Sequence, residues 1–583
     1  MIAIPQIAAG HPTEQQALER GLEALAGHQL AWATLPIAEK IKLLGQVKRA
    51  TAAVAERWVQ AAVKAKGIPA GSPLAGEEWS SGPWALLYGL SQYIRTLGEI
   101  ARYGIPVIKK SAMRTAPNGQ LVVEVFPSSL YDRLLLSGIT AEVWMEPGVT
   151  EENLKSNLAA FYREKHPSGK LALVLGAGNI ASIAPLDVLY KLVAEGQVCL
   201  LKMNPVNEYL GPFLEEAFEP LTDAGFVRIV YGSGEVGAWL CNHALVEEIH
   251  VTGSARTHDN IVFGSGPEGA ARKAKNQAKN LRRVTSELGN ISPTIVVPGP
   301  WTAADRQFQA ENIATQKMHN AGFNCIAAQV LVLPADWDQT EALLGAVKST
   351  LRGIPNRKAY YPGAADRQQK ATEAHPEAEL LDGPGEGVPR TLVAKVSAEN
   401  PEDFCFREEA FGGVLTATRL PGANAADFLR NAVRFCNDAL WGTLGANILI
   451  HPSTIKELGP LFDDALAELR YGCIAVNTWT GVGFLLAQAS WGAFPGHARN
   501  DIQSGSGVVH NALLFDRPQK SIVRAPFYPF PRGAIHGQAA ILPKPPWFVT
   551  NKRAEEVTRK LTFFEARPSL LRLPGIFISA LRG

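Results

Sequence analysis

The segment HNAGFNCIAAQVLVLP, residues 319–334, places Cys325 between a run rich in glycine and asparagine and a strand-like apolar stretch. A lone cysteine is most often an inert core thiol, but it can also form a disulfide, bind a metal or act as a nucleophile. The chain has no Cys-x-x-Cys pair and no Cys/His cluster at metal spacing, because its other cysteines are scattered: Cys199, Cys241, Cys405, Cys436 and Cys473. This spacing predicts neither a disulfide framework nor a metal site.

A second candidate for chemistry is the turn in LALVLGAGNIA, which carries Gly176, Gly178 and Ala181 between a predicted strand and a predicted helix. A standard dinucleotide-binding loop also needs an acidic residue about 20 positions further on, which binds the ribose. Here the next predicted strand ends at Lys202, with no Asp or Glu. A lysine can also hold ribose or phosphate oxygens, so the turn alone favours a nucleotide only weakly.

Short strands alternate with helices from residue 170 onward. Strand-like segments rich in Val, Ile and Leu recur at 171–176, 197–202, 227–232 and 247–253, with helical patterns between them. Alternation at this spacing predicts a doubly wound α/β domain with a parallel sheet. A second α/β stretch covers residues 284–500, and the predicted fold class is therefore α/β with two doubly wound domains.

Other segments flank these two domains. Residues 14–65 have helical composition, and 68–84 has the Gly, Pro and Ser content of a loop. Two strand patterns within 120–147 predict a long hairpin arm. The basic run 271–283 is expected on a solvated helix face. From about Pro526 onward the chain is proline-rich and then amphipathic.

Composition narrows the classes of function. The chain has 583 residues, 46% apolar and 19% charged, with a net charge of +2, so nothing indicates a nucleic-acid partner. The first 20 residues have neither the basic nor the long apolar region of a secretory signal. No run approaches the roughly 20 apolar residues of a membrane-spanning helix. We therefore expect a cytoplasmic protein.

Six segments of the chain resemble the aldehyde dehydrogenase superfamily and follow the order found there. They cover about residues 170 to 525, and together they are far more specific than any one alone. They are GNIASIAP with CLLKMNP (Asn179, Lys202), HVTGSARTH (Gly253, Ser254), VTSELGN (Glu287), NAGFNC (Cys325), REEAFGG (Glu409, Phe411), and YGCIAVN (Asn477) with SGSG (504–507).

The resemblance implies a role for each matching residue. Cys325 would be the nucleophile, Glu287 the general base, and the Asn179 amide an oxyanion donor together with the Cys325 backbone N–H. The cofactor, NAD or NADP, would be held by the following residues: Lys202, Pro205, Gly232, Gly253, Ser254, Glu409 and Phe411. Lys202 and Glu409 would bind ribose hydroxyls, and Phe411 would support the nicotinamide. No metal is implied.

The sequence departs from the family at several of these motifs. Pro205 stands where a Glu is frequent, and His258 where a Gly is usual in the cofactor turn. Asn290 replaces a second Gly, and Gly413 replaces a Pro. Because the frequent Glu would repel a 2′-phosphate, its loss together with Lys202 predicts that NADP is accepted.

The implied function is oxidation of an aldehyde to a carboxylic acid through a cysteine thiohemiacetal and a thioester. The alternative is an acyl-CoA (acyl-thioester) reductase on the same fold, in which CoA takes the place of water. Enzymes of that kind usually lack the glutamate at this motif, so Glu287 favours the hydrolytic dehydrogenase. A non-catalytic scaffold would not require Cys325, Asn179 and Glu287.

The resemblance also suggests boundaries: a cofactor-binding domain over 1–286, a catalytic domain over 287–500, a return segment with an oligomerisation strand over 501–525, and an extension over 526–583. We expect a homodimer or homotetramer and a small-molecule aldehyde substrate. The tail KLTFFEARPSLLRLPGIFISALRG interleaves apolar residues with arginines, which suits peripheral membrane contact, a cap on a hydrophobic substrate funnel, or packing against its own domain or a partner subunit. A lipophilic aldehyde follows from the second of these.

Overall fold

The computed structural model describes residues 12–381, 383, 387 and 390–583. Residues 1–11, on which the expectation about a secretory signal rests in part, lie outside the described residues. The helices, in chain order, are α1 Gln15–Thr34, α2 Ile37–Ala65, α3 Gly76–Trp79, α4 Ala85–Tyr103, α5 Leu130–Leu135, α6 Ala160–Arg163, α7 Ile183–Val193, α8 Gly211–Asp223, α9 Gly234–Asn242, α10 Ala255–Phe263, α11 Gly266–Ala274, α12 Ala303–Met318, α13 Thr340–Gly353, α14 Ala364–Ala374, α15 Phe404–Arg407, α16 Ala425–Ala439, α17 Pro452–Leu458, α18 Pro460–Glu468, α19 Thr480–Leu485, α20 Arg532–Ile535, α21 Ala554–Ala566 and α22 Leu573–Ala580.

The strands form two large sheets and one small one. Their bounds are β1 Met113–Thr115, β2 Leu121–Phe126, β3 Thr140–Met145, β4 Leu171–Leu175, β5 Val198–Lys202, β6 Val227–Val230, β7 Glu248–Gly253, β8 Arg283–Leu288, β9 Ser292–Val296, β10 Ala328–Pro334, β11 Glu379–Leu381, β12 Arg390–Val393, β13 Val414–Leu420, β14 Gly445–Leu449, β15 Cys473–Val476, β16 Ser490–Trp491, β17 Gly505–Ser506, β18 Val509–His510 and β19 Pro518–Arg524.

The first sheet has the order β17-β8-β7-β4-β5-β6, with parallel pairing from β8 to β6. Its central strands β4 and β5 are almost fully buried, and α7 between them is buried along its whole length. Helices lie on both faces of such a sheet, which explains the continuous apolar runs in these strands. The carboxyl ends of β5, β6 and β7 therefore share one edge.

The second sheet has eleven strands in the order β1-β2-β3-β19-β15-β14-β9-β10-β13-β12-β11. β2 and β3 pair antiparallel as the hairpin pattern predicts, and β19 joins this arm to the parallel strand β15. The return segment of the chain thus links the arm to the larger α/β unit. Two doubly wound sheets with a hairpin arm confirm the predicted fold class.

The N-terminal third differs from its sequence-based prediction at residues 68–84. The loop expected there ends early: residues 73–84 form helical turns that include α3 and continue into α4. The Gly, Pro and Ser residues that suggest a loop instead form a buried, kinked helical connection in which Gly82 has non-helical angles. Tertiary burial of Glu77, Glu78 and Trp79 overrides the local propensity.

The basic run 271–283 also differs from its prediction of one solvated helix face. α11 ends at Ala274, a turn follows, and β8 begins at Arg283. The side chains of Arg282 and Arg283 make tertiary contacts. Arg282 donates to the carbonyls of Val246 and His243, and Arg283 pairs with Glu248 at 2.9 Å.

The C-terminal extension packs against the N-terminal helices. A Cβ atom on Gly76 would lie 2.6 Å from the Ala554 carbonyl carbon, so a glycine at this position lets α3 and α21 come close. The Ser91 hydroxyl donates to Glu565 on α21 at 2.6 Å. The expectation that this tail packs within the protein therefore holds for α21.

All six cysteines are free thiols. Cys405 lies near His375 and Asp403, with donor atoms of the three side chains within 4.8 Å of one another. Asp403 has local partners, because it caps α15 through the Cys405 N–H and accepts from His375 at 3.0 Å. Among the described helices, none is long and apolar enough to cross a membrane.

Candidate active site

A turn with left-handed backbone conformation connects the end of α12 to Cys325. Asn320, Ala321 and Gly322 have φ values of 55°, 58° and 84°, and β10 begins three residues after the cysteine. A Cβ atom on Gly322 would lie 2.4 Å from the Gly412 carbonyl oxygen, so only glycine fits at that position. Asparagine tolerates the left-handed region, whereas alanine does so at a cost.

The Cys325 thiol lies near the carboxyl group of Glu287, and each group affects the pKa of the other. Glu287 lies on β8 beside Thr252 of β7 and Gly505 of β17. Glu287 is 4% exposed, and its Oε1 has no hydrogen-bond partner among the described residues. A buried carboxyl oxygen of this kind has the free acceptor that a water molecule needs.

Burial is the main cause of the raised pKa values of Glu287 and Cys325. It raises the pKa of Glu287 to about 8, and the charges of Asp187 and Glu409 raise it further, while the Cys325 thiol acts in the opposite direction. Burial also raises the pKa of Cys325 well above its usual range, and Glu287 and Glu409 add to this. At neutral pH both side chains therefore hold their protons, and Glu287 becomes a proton acceptor as the pH rises through about 8.

Asn179 lies in the turn between β4 and α7 and reaches the nucleophile loop. Its side-chain amide donates to the Phe323 carbonyl at 3.0 Å, and its side chain is buried. An amide nitrogen carries two N–H bonds, so one hydrogen remains after this contact. Asn179 and Cys325 line the same cavity.

The cavity has mainly apolar walls with a few polar residues among them. Its apolar lining consists of Ile180, Ile183, Ile326, Trp479, Val482, Phe484, Leu485, Trp491 and Trp547, and its polar lining of Ser80, Ser81, Asn179, His319, Asn324 and Cys325. This combination suits a small organic ligand fixed by a few polar groups. Trp547 belongs to the C-terminal extension, which therefore forms part of the cavity wall.

The residues expected to bind the cofactor lie along the carboxyl edge of the first sheet. Lys202 ends β5 and is buried, which lowers its pKa, while the Glu208 carboxylate acts in the opposite direction. Pro205 follows in the next loop, Gly232 follows β6, and Gly253 and Ser254 lie at the end of β7. The Ser254 hydroxyl caps α10 by accepting from the Thr257 N–H.

Glu409 and Phe411 approach from the other sheet. A Cβ atom on Gly289 would lie 2.0 Å from Glu409 Oε2, so this glycine makes room for the carboxyl group. Burial raises the pKa of Glu409 to about 8, while the Asn290 backbone and the charges of Arg367 and Lys317 act in the opposite direction. Phe411 packs on Phe323 of the nucleophile loop with ring centroids 5.7 Å apart.

Sequence reasoning overlooked several residues around this site. Asp187 on α7 accepts from Thr252 at 2.9 Å and lies 3.4 Å from His250, which places a buried polar group beside Glu287. Lys66 in the N-terminal third contacts the nucleophile loop at Asn320. No local motif marks these residues, but an acid within the apolar helix pattern of α7 is an unusual feature that could have drawn attention to Asp187.

Comparison with known proteins defines the class to which this fold and site belong. The family model described as the aldehyde dehydrogenase family matches residues 152–483 of the chain. The chain therefore belongs to the aldehyde dehydrogenase family, and the resemblance predicted from its motifs is confirmed.

Individual relatives are distant. The chain is 27% identical over 292 residues to coniferyl aldehyde dehydrogenase of Pseudomonas sp. (strain HR199 / DSM 7063), which covers 47% of this chain and 56% of the relative. It is 22% identical over 346 residues to D-glyceraldehyde dehydrogenase (NADP(+)) of Picrophilus torridus, and the match covers 55% of this chain and 63% of the relative. The chain thus spans little more than half the length of the curated relatives that it matches.

Solved structures share the fold over most of the chain. A mutant of aldehyde dehydrogenase C from Pseudomonas syringae, in complex with NAD⁺ and octanal, has a TM-score of 0.58 at 17% identity and covers 88% of this chain and 90% of its own. A glyceraldehyde-3-phosphate dehydrogenase from Methanocaldococcus jannaschii, complexed with NADP, has a TM-score of 0.56 at 14% identity, covering 88% and 96%.

Proposed function

We propose that this protein oxidises an aldehyde to a carboxylic acid with NAD or NADP, through a covalent intermediate on Cys325. The observation that carries this proposal is that Cys325 and Asn179 line one cavity, with the buried Glu287 carboxyl near the thiol. The geometry supplies a nucleophile, a proton acceptor and an amide donor at one point.

The first steps follow from the chemistry of a thiol and an aldehyde. Cys325 loses its proton to the Glu287 carboxylate and adds to the aldehyde carbon, which gives a thiohemiacetal whose oxyanion accepts from the Asn179 amide and the Cys325 N–H. Loss of hydride from the same carbon, for which NAD or NADP would be the acceptor, leaves a thioester on Cys325. Glu287 releases the thiol proton to solvent and, again a carboxylate, takes a proton from the water that attacks the thioester; the acid leaves and the Cys325 thiolate is regenerated.

The residues at the carboxyl edge fit a dinucleotide. Glu409 Oε1 is buried without a hydrogen-bond partner among the described residues, as expected of a carboxyl oxygen awaiting a ribose hydroxyl. Lys202 and Glu409 would each hold a ribose, and Phe411 would pack near the nicotinamide. Bound NAD or NADP supplies the hydride acceptor.

Both cofactors are proposed to be accepted. With Pro205 at this position, the chain lacks the frequent glutamate that would repel a 2′-phosphate. The Glu208 carboxylate lies in the same loop and raises the pKa of Lys202, so one negative charge remains near this site. Steady-state KM values for NAD and NADP test the proposal. A KM for NADP more than about a hundredfold above that for NAD would refute it, since this corresponds to about 2.7 kcal/mol.

The acyl-CoA reductase alternative uses the same thioester but a different acceptor. Glu287 favours water, because transfer to a CoA thiol does not need a buried carboxyl near the nucleophile. Assaying aldehyde oxidation with and without CoA separates the two. Turnover that requires CoA and yields a thioester product would favour the alternative.

A lipophilic aldehyde is the proposed substrate class. Three tryptophans and several aliphatic side chains line the cavity beside Cys325. An apolar chain or ring of the substrate would therefore bury apolar surface against them, which is favourable. The octanal complex named above and the coniferyl aldehyde relative act as precedents for such ligands. Initial rates across short, aromatic and long-chain aldehydes, with each cofactor, test the proposal, and equal kcat/KM across the panel would contradict it.

Trp547→Ala is expected to weaken the selectivity for large aldehydes. Truncating this wall residue removes apolar contact of about 1.5 to 3 kcal/mol, so kcat/KM for octanal should fall about 10- to 100-fold while that for propanal changes little. Steady-state kinetics on the two substrates measure the ratio. Trp337→Ala, remote from the cavity, is the matched control. An unchanged octanal-to-propanal ratio would contradict a role for the extension in substrate binding.

Asn179→Ala is expected to lower kcat by roughly 10²- to 10³-fold with little change in cofactor affinity, as for the loss of an oxyanion donor. Cofactor Kd by fluorescence titration and kcat by steady-state assay measure the two effects separately. A dinucleotide-loop role predicts the reverse, weak cofactor binding with a smaller effect on chemistry, and that result would overturn the assignment.

The rate of thioester hydrolysis is expected to rise with pH. Glu287 must be a carboxylate to accept a proton, and burial, the main cause that raises its pKa to about 8, persists in the acyl-enzyme. Single-turnover deacylation should increase about tenfold per pH unit below 8 and level off above it. A deacylation rate independent of pH between 6 and 8 would exclude Glu287 as the base.

Oligomerisation and membrane contact are further proposals. The family resemblance suggests a homodimer or homotetramer, which sedimentation would test; a monomer at assay concentration would refute it. Residues 567–583 carry three arginines and no acid, and Leu571, Ile578 and Leu581 are more than half exposed. This surface suits an anionic bilayer. Failure to cosediment with anionic phospholipid vesicles would refute membrane contact.

A further inference from the structure

A buried ionic cluster lies directly under the turn that carries the nucleophile. The Lys66 ammonium is 2.7 Å from Glu78 Oε1, and both side chains are at most 3% exposed. A second pair, Arg357 with Glu77 at 2.6 Å, is 7% and 6% exposed. Three of these four residues come from α3 and the segment that joins α2 to it, which lie outside the part of the chain that matches the family model.

Asn320 joins the cluster to the nucleophile loop. Its side-chain oxygen lies 3.0 Å from Lys66 Nζ and 2.9 Å from the Tyr360 hydroxyl. Its amide nitrogen donates to the Asn179 carbonyl at 3.1 Å and to the Phe323 carbonyl at 3.0 Å. Its backbone N–H donates to Glu77 at 3.0 Å. Two donors on the oxygen and two acceptors at the nitrogen fix the orientation of the amide.

Asn320 is also the first residue of the left-handed turn. Asn320 and Ala321 have positive φ values, and Ala321 gains nothing locally from this conformation. Non-glycine residues persist in such conformations only where surrounding contacts determine them. The contacts on Asn320 are of this kind, because they tie its backbone and side chain to buried charges and to the turn that carries Asn179.

We propose that Lys66 is a positioning residue that holds Asn320 so that the turn keeps the Cys325 thiol beside Asn179 and near Glu287. Lys66 also donates to the Asn179 carbonyl at 3.2 Å, so one ammonium group contacts both loops that meet at the site. The expected effect of Lys66 on turnover rests on the proposed function, whereas its expected effect on the position of the thiol relative to the carboxyl does not.

The test uses the double variant Lys66→Met/Glu78→Met in the full chain. Removing one partner would strand a buried charge and destabilise the fold, whereas replacing both with apolar residues of similar size is often tolerated. Lys191→Met/Glu195→Met is the matched control, because it removes another pair with a fully buried lysine, at 2.6 Å, whose residues do not line the cavity at Cys325.

The readout is the coupling between Cys325 and Glu287, measured by iodoacetamide alkylation of Cys325 followed by peptide mass spectrometry. In the wild-type and control backgrounds, Glu287→Gln should change the alkylation rate by about tenfold or more, because the nearby Glu287 carboxyl affects how readily the thiol loses its proton. In the Lys66→Met/Glu78→Met background the change should be less than about twofold, and kcat should fall about 10²-fold, the effect of a misplacement near 1 Å.

Tyr360→Phe provides a second variant if the double variant does not fold. It removes one donor to Asn320 and keeps the ring that packs on Phe323 at 5.0 Å, so a smaller loss of the same coupling is expected. Full coupling in whichever of these variants folds, with kcat within threefold of wild type, would overturn the proposal. A wild-type protein that does not oxidise aldehydes would refute the proposed function instead. The alkylation measurements on Cys325 would still decide whether Lys66 is a positioning residue.

Discussion

Cys325→Ala should abolish aldehyde oxidation, with a loss of about 10³-fold or more, while leaving NAD(P) affinity unchanged. Alanine cannot form a bond to the substrate, so the tetrahedral centre from which hydride departs does not arise. The substitution removes one sulfur atom at the edge of an apolar cavity and leaves the carboxyl edge of the first sheet untouched. Initial rates of cofactor reduction and a cofactor titration on the same preparation measure both effects.

Cys436→Ala is the matched control for this prediction. Cys436 is a fully buried thiol on α16 and does not line the cavity at Cys325. Its replacement should cost stability through a small cavity and leave kcat within a factor of a few of wild type. A Cys325→Ala protein with even a tenth of the wild-type activity would mean that the reaction is not covalent at this residue.

Glu287→Gln should convert steady turnover into a burst. Glutamine keeps the shape of the side chain but cannot accept a proton from water, so the thioester forms and is not hydrolysed. Mixing the variant with aldehyde and cofactor should release close to one equivalent of reduced cofactor per active site, followed by a slow phase. Because Glu287 also lies near the thiol, the burst itself should be slower than in the wild type.

Stopped-flow absorbance of the reduced cofactor measures both phases, and adding CoA identifies the natural acceptor. Wild-type turnover without CoA, together with a burst in Glu287→Gln, supports hydrolysis. Wild-type rates that depend on CoA, with Glu287→Gln indistinguishable from wild type, would instead assign the chain to acyl-thioester reduction. Asp187→Asn is a useful companion, since it removes a nearby charge without touching the carboxyl that accepts the proton.

The sequence was sufficient to predict the family and those helices and strands whose residue pattern is local. Continuous apolar runs at the positions of β4, β5 and β7 predict a parallel sheet, and the six ordered motifs around Asn179, Glu287 and Cys325 predict the family that the comparison confirms. Cys325 and Glu287 are 38 positions apart in the chain and belong to motifs near different sheets, Glu287 on β8 and Cys325 just before β10. Their proximity depends on the packing of one sheet against the other, which no single motif encodes.

Tertiary context explains what the sequence could not predict. The segment 73–84 contains loop-forming residues but is buried, and burial makes it helical. Lys66 and Glu78 look like ordinary helix-surface charges until the fold pairs them under Asn320. Trp547 lies in a proline-rich tail without any motif, and only the packing of α21 on the N-terminal helices brings it to the cavity. Long-range burial therefore decides these features.

The most direct test of the central claim is the mass of the Cys325 peptide after one turnover. Glu287→Gln is mixed with octanal and NAD or NADP, quenched in acid within the burst phase, digested and measured. Because the acyl group replaces the thiol hydrogen, the peptide should gain the mass of the aldehyde less two hydrogens, in proportion to the reduced cofactor formed. Reduced cofactor and free acid with an unmodified Cys325 peptide would contradict the covalent mechanism.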